Sequence, residues 1–129
     1  MLAIAKDLGL SVCGIVGFHH DQRFDTEDEK VNSLLSCIRL CGDIKNYNVC
    51  NKQPYQVVNL LKKANPDLLM ARHDTMPATA VKLGIPVFFS SDANLQIGYD
   101  GLIYTGRQIL RVLRTKKFVE NIATHVRLP

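Results

Sequence analysis

Residues 66–74, PDLLMARHD, decide how the rest of the chain is read. Pro66 closes the helical pattern before it, Leu68, Leu69, Met70 and Ala71 form an unbroken apolar run, and polarity returns abruptly at Arg72, His73 and Asp74. A short continuous apolar run suits a strand covered on both faces, as in a parallel sheet; alternation would instead mark a half-exposed strand. Polar chemistry then begins where the strand ends. Residues 11–18, 47–50 and 85–89 follow the same plan. Strands alternating with helices predict an α/β chain: a Rossmann-like three-layer domain around a mainly parallel sheet of about four strands.

Working outward, Pro54 fits the first turn of a helix that turns Tyr55, Val58, Leu60 and Leu61 inward, and Asn65 with Pro66 ends it. Earlier, Thr26 with Glu29 three residues on forms a capping box, and Val31, Leu34, Leu35, Ile38 and Cys41 recur at helical spacing up to Gly42. The chain opens on a helix over residues 2–9, apolar at Leu2, Ile4, Ala5 and Leu8 and stopped by Gly9. A βα unit starts on its strand, so a sheet lacking its first strand is within this expectation, and the chain reads as a fragment of a larger multidomain subunit. Downstream, a helix over 76–83 stops at Gly84, and the strand over 85–89 carries Pro86 at its start, where a missing donor is tolerated. A long helix runs from Tyr99 or Gly101 to Arg114. Thr115 is then placed to cap a last helix that turns Phe118, Ile122 and Val126 inward.

With 129 residues and 47% hydrophobic content, one compact domain with a real core is expected. Cys13, Cys37, Cys41 and Cys50 lie in or beside apolar segments with no secretory signal, which reads as reduced thiols in a cytoplasmic protein. No segment approaches the roughly 20 apolar residues of a membrane span, so no membrane is expected. A net charge of +4 is too mild to imply nucleic acid. Arg107, Arg111, Arg114, Lys116 and Lys117 concentrate it near the C-terminus, where such a row is either a solvated face or a surface for an acidic partner. The chain holds no glycine-rich phosphate fingerprint, Walker motif or serine-nucleophile elbow.

In an open parallel sheet the loops leaving the carboxyl ends of the strands share one crevice, and helix N-termini point into it. Here those loops span residues 19–26, 50–53, 72–76 and 90–98. His20, Arg72 and Asp92 are the candidates for a ligand-facing set, with Asn94 beside them. Each also has a plain reading. Adjacent histidines occur in solvated loops, Arg72 can pair locally with Asp74, and Asp92 and Asn94 can shape a turn. Cys37 and Cys41 share a helix face but lack the paired short spacing of a strong metal site, and no metal is assigned.

The ordered stretches LAIAKDLGLSVCGIVGFHHD, NYNVCNKQPYQVVNLLKKANPDLLMARH, KLGIPVFF, IGYDGL and FVENIATHVRLP resemble the C-terminal Rossmann-like domain of nitrogenase component 1 type oxidoreductases, their α-chains and nitrogenase-like relatives in particular. The resemblance spans nearly the whole chain. It implies a subunit of three such domains, assembled with a sister component 1 subunit and served by an ATP-dependent iron protein. Electrons there pass through an iron–sulfur cluster to a buried metallocofactor. It also implies that Phe18 and His20 are the family's aromatic and histidine element near the cofactor. The cofactor-facing set is then Phe18, His20, Arg72 and Asp92. Family α-chains place a cofactor-ligating histidine shortly before the GYDG motif, whereas residues 87–97, VFFSSDANLQI, hold none. The family's cofactor cysteine lies in another domain. The expectation is therefore one wall of a metallocluster or tetrapyrrole-like substrate cavity, inert alone, with no metal ligated by this domain. A stand-alone small-anion binding or regulatory module, and a pairing domain using the basic C-terminal helices, are the alternatives.

Overall fold

The computed structural model describes residues 2–17, 39, 44, 46–49, 54–72, 75–90 and 98–125. The chain divides into two compact units, Met1–Ala64 and Asn65–Pro129. The described residues form a mixed α/β structure, mostly helical, with parallel strand pairs.

In the first unit, helix α1 (Leu2–Asp7) buries Ala5 and stops where Gly9 takes a φ of 68°. The Gly9 N–H donates to the Lys6 carbonyl at 3.0 Å and the Leu10 N–H to the Ala5 carbonyl at 2.8 Å. This is the reciprocal pair of a Schellman motif, which satisfies carbonyls that a helix end leaves orphaned. Strand β1 (Gly14–Gly17) pairs in parallel with β2 (Asn46–Val49), with Gly14 opposite Asn46 and Gly17 opposite Val49. Helix α2 (Pro54–Ala64) packs on both strands. Val57 and Leu61, one turn apart, are its buried residues.

Tyr55 is a correction to the expected inward face, being 74% exposed where Leu61 is 2% exposed. At 3.6 residues per turn it lies about 140° around the helix from the Val57–Leu61 line. An aromatic side chain with a hydroxyl tip tolerates that position. Leu60 and Val58 sit half-buried at the margins of the packed stripe. The capping-box helix expected over residues 26–41 falls outside the described residues except for Arg39, which is helical.

The second unit begins with Asn65 in a left-handed conformation (φ 43°) that ends α2, followed by β3 (Leu69–Ala71), α3 (Thr75–Lys82) and β4 (Val87–Phe89). β3 and β4 are parallel, with Leu69 opposite Val87 and Ala71 opposite Phe89. Parallel neighbours cannot be joined by a hairpin, and α3 is the crossover that joins them. The Pro86 carbonyl accepts from the Leu69 N–H at 3.0 Å, so the proline serves the ladder through its acceptor and its missing donor costs nothing.

Helix α3 packs against both strands and against α5 (Lys116–His125), burying Met76 and Ala80. It ends as α1 does: Gly84 has a φ of 79°, its N–H reaches the Val81 carbonyl at 3.0 Å, and the Ile85 N–H reaches the Ala80 carbonyl at 2.9 Å. A Cβ added at Gly84 would meet Ala123 and Glu120 at 3.6 Å, which is ordinary contact. Backbone strain alone should therefore set the cost of Gly84→Ala, about 1–2 kcal/mol. A urea titration that gives no loss would mean the turn is not held left-handed.

Helix α4 (Gly98–Arg114) packs against β4 and α5 through Gly101, Thr105 and Ile109, spaced at i, i+4 and i+8. Thr115 separates it from α5. Its carbonyl accepts from the Val119 N–H at 3.0 Å, as an N-cap carbonyl does, but its hydroxyl donates back to the Val112 carbonyl at 2.7 Å. The expected forward side-chain cap is thus replaced by a bond that closes the preceding helix. Phe118 is the second correction: it is exposed, and Val119 is the buried residue of α5. Ile122 is half-buried, and Val126 lies outside the described residues.

Candidate functional site

The β3–α3–β4 unit brings two strand exits side by side. Ala71, the last residue of β3, is buried, and its carbonyl accepts from the Ser90 N–H at 2.9 Å, one residue beyond the end of β4. Arg72 follows directly and is exposed. Helix α3 begins three residues later, so its N-terminus, positive in character, stands at the same edge as Arg72. Such an edge favours a ligand carrying negative charge. The exit of β4 adds Phe89, partly exposed, and half-buried Ser90.

Of the expected cofactor-facing set, Arg72 is described and stands where the sequence reading put it, at the carboxyl end of a parallel strand. Phe18 and His20 follow β1 in the chain and Asp92 follows β4, and all three lie outside the described residues, as do His19, His73 and Asn94. Cys13, exposed and outside any disulfide, lies ahead of β1. Cys37, Cys41 and Cys50 also fall outside the described residues. Among the described residues no group of three or more histidine, cysteine, aspartate or glutamate side chains could hold a metal ion. Among them, too, no buried polar side-chain atom lacks a hydrogen-bond partner, and no helix is long and apolar enough to cross a membrane.

The opposite edge of the β3–β4 pair carries an ion pair that sequence reading did not find. Lys116, at the start of α5, meets Asp67, ahead of β3, with Nζ 2.5 Å from Oδ1. The residues are 49 apart in sequence, so no local spacing announces the pair. The hydrogen bond from Lys116, reinforced by its charge, holds the Asp67 carboxyl below its ordinary 3.8. The same bond raises the Lys116 ammonium above its ordinary 10.5, with Glu120 adding to the effect.

The signs follow from linkage. A depressed carboxylate contributes stability that is present above its unfolded value and lost as pH falls through the folded one. A raised ammonium contributes below its unfolded value and loses it as pH rises through the folded one. The pair is therefore intact across the neutral range. Asp67→Asn should flatten the decline in urea midpoint on acidification below pH 3.8 and leave the neutral midpoint nearly unchanged, because surface pairs contribute little. An acid limb identical to that of the parent would remove the pair from the account.

Comparison of the chain with models of protein families, with curated protein sequences and with solved structures returned no match.

Proposed function

We propose that this chain is a domain of a nitrogenase component 1-like oxidoreductase subunit, and that the carboxyl edge of its parallel strands helps wall a metallocluster or substrate cavity. On this reading the chain is a Rossmann-like domain, and Phe18, His20, Arg72 and Asp92 are its cavity-facing residues. The observation that supports it most is the β3–α3–β4 unit, with Arg72 exposed at the strand exit and α4 opening on Gly98-Tyr99-Asp100-Gly101, the motif that carries the sequence resemblance. A glycine in the left-handed region, with φ 78° at Gly98, starts that helix.

The role assigned here is to shape and charge the wall, with the metal ligands supplied by other domains of the assembly, as the resemblance implies. Arg72 would hold an anionic group of cofactor or substrate by charge-assisted hydrogen bonds. The sister component 1 subunit and an ATP-dependent iron protein are the partners this reading requires.

The test is expression of the gene's complete reading frame with its partner chain, followed by iron and acid-labile sulfide analysis and visible spectra. Iron and sulfide should be retained by the assembly and not by residues 1–129 alone. Arg72→Ala in the assembly should impair turnover while leaving the metal content in place. Absence of iron and sulfide from the complete assembly would sink the reading. A second reading, a small-anion binding module, draws on the same exposed Arg72 beside the start of α3. Saturable binding of inorganic phosphate by residues 1–129, weakened by Arg72→Ala, would favour it instead.

A further inference from the structure

Helix α4 carries a second face that its own unit does not cover. Gly101, Thr105 and Ile109 pack inward, while Tyr99, Ile103 and Leu110 are exposed by 87, 52 and 58%. These three side chains recur at i, i+4 and i+11, which at 100° per residue sets them within about 40° of one another along about 16 Å of helix. A seam that narrow and straight has the width of one helix; Tyr104, 42% exposed, lies about 100° beyond its edge on the far side of the arginines, so the exposed apolar surface is not the broad continuous face that a helix lying in a lipid surface needs.

Arg107, Arg111 and Arg114 border the seam on one side, and all three are exposed. Among the described residues none of these guanidinium groups has an ion-pair partner. The sequence explains why: the positions three and four residues away on either side hold no acid. Asp100, exposed at the first turn, is the helix's single carboxylate.

We propose that this face docks an acidic amphipathic helix of a partner protein. The partner's apolar side chains would lie on Tyr99, Ile103 and Leu110, and its carboxylates would pair with Arg107, Arg111 and Arg114. Charge selects this occupant. A second copy of the chain would bring three more arginines and one aspartate to the contact, placing like charges together. The face is opposite the side that packs on β4 and α5, so it does not depend on the reading of the carboxyl edge.

The test titrates the full 129-residue chain with a labelled synthetic peptide of leucine and glutamate in heptads, and with its lysine counterpart, by fluorescence anisotropy. The glutamate peptide should bind saturably and more weakly as salt rises, and the lysine peptide should not bind. Joint Arg107→Glu, Arg111→Glu and Arg114→Glu should weaken binding by about tenfold or more, as three exposed ion pairs are lost. Joint Ile103→Ser and Leu110→Ser should do the same, with circular dichroism unchanged in both variants. No binding of the glutamate peptide, or equal binding by the arginine variant, overturns the proposal. A wild-type dimer in sedimentation that Leu110→Ser dissociates would make the second copy the occupant and overturn it as well. Binding to phosphatidylserine vesicles but not to the peptide would do so in favour of a lipid surface.

Discussion

Ile109→Ala is expected to lower the stability of the second unit by about 2–5 kcal/mol, while Leu110→Ala, one residue along the same helix, should stay within about 0.5 kcal/mol of the parent. Ile109 is 2% exposed on the side of α4 that packs against β4 and α5, and truncating it removes apolar burial and leaves a cavity that close-packed neighbours fill only in part. Leu110 is rotated 100° from it into solvent, where alanine is at least as good a helix former. Urea titrations followed by far-UV circular dichroism measure both. Equal losses at the two positions would mean that the buried line of α4 is misassigned. The comparison also separates docking from folding, because Leu110, the position expected to be neutral for stability, belongs to the pair whose joint replacement is expected to weaken peptide binding.

Leu61→Ala in α2 should cost the first unit a similar amount, about 2–5 kcal/mol, and Tyr55→Ser almost nothing. Leu61 and Val57 share the turn-spaced line on which α2 rests against β1 and β2. Removing a leucine side chain there takes buried apolar surface out of the helix that covers a two-stranded parallel pair. Amide hydrogen exchange across residues 54–64 provides a readout besides the urea midpoint, since faster exchange should be confined to this unit. A large loss for Tyr55→Ser would place the tyrosine ring on the strands and restore the inward face that hydrophobicity alone suggests.

The candidate site was legible in part, and for a local reason. Arg72 lies at a strand exit because the chain changes from apolar to polar between Ala71, the buried last residue of β3, and Arg72. The Lys116–Asp67 pair at the other edge could not be read, since the two residues are 49 positions apart and meet only through the tertiary packing of α5, which rests on α3 and α4. The apolar seam of α4 is written in the sequence: Tyr99, Ile103 and Leu110 share a helical stripe of their own, separate from the stripe that packs.

By itself the sequence determined the kind and order of the described elements and most of their ends. Gly9, Gly84 and Asn65 stop helices where a left-handed residue closes the turn, and Pro86 opens a strand; these effects act over a few residues and are written in them. Only the tertiary structure decided how each helix is rotated about its axis, with Val57 and Leu61 rather than Tyr55 turned in on α2 and Val119 rather than Phe118 on α5. Hydrophobicity ranks tyrosine and phenylalanine beside leucine and valine, but burial goes to the side chains that meet a neighbouring strand or helix, and where that neighbour lies is settled by contacts far apart in the chain.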